Sequence, residues 1–236
     1  MPSRKKTVVA VIPAYNEELT ITGIIDKAER YVDRIIVIDD ASTDDTYKLA
    51  KRENVVMIHH PINMGLGVSL RDGFKKALEM KSDIILTIDS DGQHDPADIP
   101  KFIEKINEGY DFVLGRRELY KYPLLKKVGN FFLNFATNFV AGTTLDDTEG
   151  GFRAFSRLGL EKLVLKADRY QIATEIIFEV GRNRLKACNV PASSPLYVKG
   201  VGVMDGVRNF TFLMHRRERH WWDYLNDVRY VLRKYI

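Results

Sequence analysis

The stretch Ile84-Ile85-Leu86-Thr87-Ile88-Asp89-Ser90-Asp91-Gly92-Gln93-His94 decides the fold. Five apolar or β-branched residues follow one another without alternation, as in a strand buried on both faces. Acidic, amide and glycine side chains follow at once. A strand of that kind belongs to a parallel sheet, and open parallel sheets bind ligands beyond the carboxyl ends of their strands.

Reading outward, the same grammar recurs. Thr7 to Ile12, Arg34 to Ile38, Val55 to His59 and Phe112 to Gly115 read as further strands. Helical stretches separate them: Glu18 to Tyr31, Asp44 to Glu53, Gly67 to Met80 and Pro96 to Glu108. The spacing predicts an α/β fold with helices on both faces of a mostly parallel sheet. Further on, Leu124 to Val140, Leu158 to Leu165 and Thr174 to Asn183 read as helices, Ala187 to Pro191 as a strand, and Met214 to Tyr235 as a long terminal helix.

Every strand of the first half ends in chemistry. Pro13-Ala14-Tyr15-Asn16-Glu17 follows the first, and Asp39-Asp40-Ala41-Ser42-Thr43-Asp44 the second. Asn63-Met64-Gly65-Leu66-Gly67 follows the third, Asp89 to His94 the fourth, and Arg116 and Arg117 the fifth. Turn-forming residues explain any one such cluster, but five along one sheet edge point to a ligand. Asp89 and Asp91, two residues apart, can reach one hard cation such as Mg²⁺ or Mn²⁺, with Gln93 adding a carbonyl oxygen. Such a cation neutralises a departing diphosphate. Asp39 and Asp40 are placed to accept from a ribose hydroxyl or a base N–H. The glycines exclude a dinucleotide-binding oxidoreductase, because Gly65-Leu66-Gly67 follows the third strand and lacks a third glycine. No Walker loop is present, nor the Gly-rich loop of a sugar nucleotidyltransferase.

Together these residues resemble the inverting glycosyltransferases of the GT-A fold, in the family that includes cellulose and chitin synthases. Within it they are most similar to the dolichyl- and polyprenyl-phosphate mannose or glucose synthases. The resemblance rests on Pro13-x-x-Asn16-Glu17, Asp39-Asp40-x-Ser42-x-Asp44-x-Thr46, Asn63-x-Gly65, Asp89-x-Asp91-Gly92-Gln93-His94, Gly115-Arg116, Gly129-Asn130 and Asp147-Thr148-x-x-Gly151-Phe152-Arg153-Ala154-Phe155. Glu175 and Asn189-Val190-Pro191 also fit.

The resemblance implies a single GT-A domain over 1–236. A nucleotide-binding half covers about 1–117, an acceptor half about 118–205, and a C-terminal amphipathic helix about 210–236. It implies a nucleotide-sugar donor, either GDP-mannose or a UDP-sugar, and a polyprenyl phosphate acceptor. Pro13, Tyr15, Glu17, Asp39, Asp40, Gly65, Asp89 and Lys199 would line the donor site, and Asp89, Asp91 and Gln93 would hold the metal. Arg116, Asn130 and Arg153 would serve the acceptor, with Lys126 or Lys127 where the family has an arginine. The family's mobile Ser-Lys pair is replaced here by Met204-Asp205. A family 2 transferase with a soluble or protein acceptor is the alternative, as is a nucleotide-sugar-binding subunit that needs a membrane-protein partner.

Composition sets the surroundings. A net charge of +4 over 236 residues suits an anionic partner, but dispersed basic residues without a binding motif argue against nucleic acid. One cysteine, Cys188, excludes a disulfide framework. No run of about 18 apolar residues spans a bilayer, and no signal-peptide pattern opens the chain. The expectation is therefore a cytoplasmic protein held peripherally at the cytoplasmic face of a membrane. Phe131, Phe132, Phe135 and Phe139 are read as a membrane-facing stripe. The terminal helix carries a second stripe of Trp221, Leu225, Val228, Leu232 and Tyr235 among arginines, read as packing on the domain or a second subunit.

Overall fold

Continuous β-branched runs build a seven-stranded sheet. In the computed structural model, which describes residues 5–117 and 124–193, the strands are β1 (Val8–Ala14), β2 (Arg34–Asp39), β3 (Val55–His59), β4 (Ile84–Thr87), β5 (Phe112–Arg117), β6 (Arg153–Ser156) and β7 (Ala187–Ala192). The helices are α1 (Ile21–Ala28), α2 (Thr46–Ala50), α3 (Leu66–Glu79), α4 (Ile99–Asn107), α5 (Leu124–Ala141), α6 (Arg157–Glu161) and α7 (Gln171–Arg182). The strand order is β3-β2-β1-β4-β6-β5-β7. All neighbours pair parallel except β6, which runs antiparallel between β4 and β5.

Two cores cover the sheet. On one face Ala10, Ile12, Val37 and Leu86 pack under α1, α2 and α4. On the other, Val9, Val11, Ile36 and Ile85 pack under α3, α5, α6 and α7. Consecutive strand residues feed opposite cores, so burial on both sides explains why the strands lack polar alternation. Gly73 of α3 lets that helix settle onto the sheet, because a Cβ there would lie 2.3 Å from Val11 Cγ1 and 2.8 Å from Ile38 Cδ1.

The strand order reverses direction at β1 and β4: β2 and β3 lie to one side, β6, β5 and β7 to the other. A crevice opens at such a switch point. Here the Ser90 hydroxyl donates to the Pro13 carbonyl at 2.8 Å, stitching the two strand ends together.

Four features differ from the sequence reading, one being the helix expected over Glu18 to Tyr31, which is α1 alone. β6 was not expected, since a four-residue Arg-Ala-Phe-Ser strand has neither a β-branched run nor alternation. The helix expected over Leu158 to Leu165 is α6 alone, five residues long. The segment beyond it is drawn out of helix by α7: Glu179 accepts from the Val164 N–H, and Glu175 from those of Lys166 and Ala167. The helix expected over Asp44 to Glu53 shrinks to α2: the Asp44 carboxylate accepts from the Thr46 N–H at 3.0 Å in the turn before it, and Lys51 leaves helical geometry with ψ 105°. Lys126, Lys127, Asn130, Phe131 and Phe132 fall within α5, whose side chains are described from Leu133 onward. Lys199, Met204-Asp205 and the terminal helix lie outside the described residues.

Candidate active site

Asp89 leaves β4 at the switch point and lies flat against the Gly151 backbone. A Cβ on Gly151 would stand 1.9 Å from its Oδ2. Behind it sits buried His94, with Nε2 3.7 Å from Asp89 Oδ2 and its ring 5.4 Å from that of Phe152. Burial opposes charge on Asp89, but His94, Arg153 and Arg117 outweigh it and hold the carboxyl below its ordinary value. Asp91 behaves in the opposite way. Burial, and then the charge of Asp89, push its carboxyl up. Glu17 is raised as well, by burial and by the charges of Asp91, Asp44 and Asp89. Negative charge thus accumulates where β1 and β4 end.

Among the described residues no group of three or more His, Cys, Asp or Glu forms a closed metal cage. Two carboxylates are a half-set. They fit a hard cation that draws its remaining ligands from phosphate and water, as Mg²⁺ does. Gln93 acts on Asp91: its backbone N–H donates to Oδ1 at 2.9 Å and its Nε2 to Oδ2 at 2.6 Å. In this structure it orients the carboxylate.

Asp39 ends β2 and is fully buried. Its Oδ2 faces His59 Nδ1 at 2.7 Å, while its Oδ1, also buried, has no hydrogen-bond partner among the described residues. His59 is itself half exposed, with Tyr47 edge-on at 5.0 Å. Asp40, expected on the nucleotide, is turned the other way. It accepts from Met64 N and Gly65 N at 2.8 Å each and pairs with His60 Nδ1 at 2.7 Å. Its task is to fold the loop after β3. Tyr15 is exposed beside the crevice, and Pro13 is buried with its carbonyl taken by Ser90.

The two arginines after β5 separate. Arg116 is exposed and approaches Asp146 at 3.4 Å. Arg117 makes a forked pair with buried Asp147, at 2.7 Å from Nε and 2.6 Å from Nη2. Arg153, expected toward the acceptor, is buried among Asp89, Glu149 and Asp147, because β6 carries it onto the inner face beside Thr87 and Leu114. It backs Asp89 from within.

Sequence reading missed the residues that hold these groups. Asn134 accepts from Thr148 N and Oγ1 at 2.8 and 2.7 Å. Buried Asn138 binds Leu145 and Thr143. Both tie α5 to the loop that leads into β6. Two asparagines four apart on a phenylalanine-rich helix were the available signal, since that spacing shares one helix face.

The Arg117–Asp147 pair carries a prediction. Burial alone would raise Asp147, yet Arg117 reverses this and holds it below its ordinary 3.8. A carboxyl depressed by folding adds stability above its unfolded value, and that stability is lost as pH falls through the folded value. Arg117→Met strands a buried carboxylate and should cost about 3–5 kcal/mol. Denaturant melts near neutrality should show that loss. The difference from the parent should begin to shrink above pH 3.8, where the variant's unpaired carboxyl, raised by burial, takes up its proton, and shrink further below 3.8 as the parent's carboxyl does the same. An equal loss at every pH would refute the assignment.

A family model described as Glycosyl transferase family 2 matches residues 9–164. The chain is 35% identical over 240 residues to a UDP-N-acetylglucosamine–dolichyl-phosphate N-acetylglucosaminyltransferase of Methanococcus voltae, covering 89% of this chain and 95% of that one. It is 26% identical over 214 residues to the polyprenol monophosphomannose synthase of Mycolicibacterium smegmatis, covering 84% and 81%. Among solved structures it is similar to glucosyl-3-phosphoglycerate synthase of Mycobacterium tuberculosis, crystallised with Mn²⁺, UDP-glucose and phosphoglyceric acid. That likeness has a TM-score of 0.70 at 21% identity over 88% of this chain and 79% of the other, and it shows the GT-A architecture. Since the matched stretch takes in more than half of the chain and both walls of the crevice, the chain belongs to glycosyl transferase family 2.

Proposed function

We propose that this glycosyltransferase moves a sugar from a uridine diphosphate donor to a polyprenyl phosphate. The observation that carries the reading is the Asp89-Ser90-Asp91 turn, fixed across the β1/β4 switch point by the Ser90–Pro13 bond. The lipid-phosphate relatives support the acceptor. Asp89 and Asp91 would hold Mg²⁺ or Mn²⁺, which offsets the charge of the departing diphosphate.

The acceptor supplies its own nucleophile. A phosphate monoester has a second pKa of about 6 and is largely dianionic near neutrality, so no side-chain base is required. Its oxygen forms a bond to the anomeric carbon as the bond to the donor's β-phosphate oxygen breaks, and attack from the opposite face inverts that centre. The protein's task is to position the two phosphates. Arg116 at the edge, with Lys126, Lys127 and Asn130 of α5, are the candidate cations and donor for the acceptor, and Lys199 for the donor.

Asp39 favours uridine. With Oδ2 engaged by His59, one carboxylate oxygen remains for the base. Uracil presents a single imide N–H between two carbonyls. Guanine presents two adjacent donors, which match a carboxylate with both oxygens free. A buried acceptor without a partner costs about 1–3 kcal/mol, and the imide N–H removes that cost.

The test is a donor panel of UDP-N-acetylglucosamine, UDP-glucose and GDP-mannose with Mn²⁺ and a polyprenyl phosphate. Label should enter lipid from a UDP-sugar and not from GDP-mannose. Label from GDP-mannose alone would overturn the uridine assignment, and no lipid label from any donor would overturn the acceptor. No helix among the described residues is long and apolar enough to cross a membrane. The lipid-phosphate relatives support the proposal that the enzyme meets its acceptor at a membrane surface.

A further inference from the structure

Exposed large apolar side chains are not spread evenly. Among the described residues Tyr15, Leu19, Ile62, Met64 and Tyr170 are exposed in loops at the carboxyl edge of the sheet, beside the crevice, and three others lie elsewhere. Ile62 is 68% exposed, Met64 40% and Tyr170 58%. These three belong to one shelf made from two loops. Gly67 N and Val68 N both donate to the Asp168 carbonyl, at 2.8 and 3.3 Å, and Arg71 grips the Asp168 carboxylate at 2.7 Å and the Ala167 carbonyl at 2.8 Å. The contact is too close for side chains. A Cβ would lie 2.6 Å from Asp168 O at Gly65 and 2.1 Å from Ala167 O at Gly67.

The backbone of this shelf is anchored from below. Asp40 holds Met64 N and Gly65 N, and buried Glu175 holds Lys166 N and Ala167 N. The polar groups are satisfied inward, and the apolar tips stand outward with exposed Arg169 and Lys166 beside them.

We propose that this shelf, Ile62, Met64 and Tyr170 with Arg169 and Lys166, is a bilayer-docking surface that sets the crevice against the membrane. The proposal rests on the polyprenyl phosphate reading. An acceptor whose tail is in a bilayer reaches the crevice only if that edge faces the lipid. Aliphatic and aromatic tips flanked by cations suit the headgroup boundary of an anionic leaflet, and the chain's net charge of +4 has the matching sign. Because the shelf is already ordered, docking does not have to freeze a loop.

The test uses the full chain and the triple variant Ile62→Ser, Met64→Ser, Tyr170→Ser, with vesicles of phosphatidylcholine and phosphatidylglycerol. Three lost apolar anchors should lower the vesicle-bound fraction by roughly tenfold. Transfer to a vesicle-embedded long-chain polyprenyl phosphate should fall in parallel, while transfer to a short water-soluble one stays unchanged. Unaltered vesicle binding would overturn the proposal. So would an equal loss on both acceptors, which would make the shelf part of the donor site, or a change from dimer to monomer on gel filtration, which would assign it to a second copy. If the parent chain labels neither acceptor, the lipid-acceptor reading fails separately, and vesicle binding still decides the shelf.

Discussion

Asp91→Ala is expected to lower sugar transfer by about a thousandfold, the scale of removing one group that stabilises charge developing in a transition state, while leaving the thermal midpoint unchanged or higher. The two halves of this expectation have one cause. Asp91 is pushed toward its neutral form by burial and by Asp89, and it adds to the repulsion on Glu17. In the empty protein that crowding is a burden, and deleting one carboxylate relieves it. With a cation and a diphosphate present the same crowding becomes the binding determinant. A site that is unfavourable to stability and necessary to activity is the usual trade-off at functional positions.

The check is a paired measurement of turnover and melting, with and without Mn²⁺ plus UDP. The parent chain should be stabilised by the pair of ligands, since anything that binds the native state alone raises its midpoint. The variant should lose that shift. Transfer within tenfold of the parent would remove Asp91 from the site. A large fall in the ligand-free midpoint would mean that Asp91 is structural.

The sheet edge was legible because its strands are local: each buried run ends where its ligand-facing turn begins, as at Ile88-Asp89. Asp89, Asp91 and Asp39 could be placed from that rule alone. Direction could not. Asp39 and Asp40 are adjacent, yet one keeps a buried oxygen without a partner among the described residues and the other is spent on the Met64 and Gly65 N–H groups. That difference depends on which way the chain turns as it leaves β2 and on what β3 and its loop bring alongside. Arg116 and Arg117 separate for the same reason. β6 was invisible because its pairing with both β4 and β5 is non-local, and Arg153 is buried by that pairing rather than by its own hydropathy. The anchors Asn134, Asn138 and Glu179 were illegible as well, and Glu175 stood out by resemblance without its task, because each acts on backbone groups many residues away.

Gly151→Ala tests whether the geometry at Asp89 is as tight as the structure places it. The new Cβ would fall 1.9 Å from Asp89 Oδ2 and 2.4 Å from its Cγ. One partner must move, and the Gly151 backbone leading into β6 is the less free of the two. The Gly151 carbonyl accepts from Thr87 Oγ1 at 2.7 Å, and the next carbonyl, of Phe152, accepts from Gly115 N at 2.9 Å. Asp89 is therefore displaced toward the crevice, away from His94 and Arg153, the groups that hold its charge. Misplacing a reacting group by about 1 Å costs on the order of a hundredfold in rate, and a fall of that size is expected here. The collision, not backbone strain, is responsible, since Gly151 has no left-handed φ. Gly23→Ala in α1 supplies the contrast, because a Cβ there meets nothing within 4 Å. It should stabilise the chain by about 0.4–1 kcal/mol and leave transfer untouched. If Gly151→Ala transfers sugar as well as Gly23→Ala does, Asp89 does not need the position the structure gives it, and the metal-and-phosphate role proposed for its carboxylate must pass to another group.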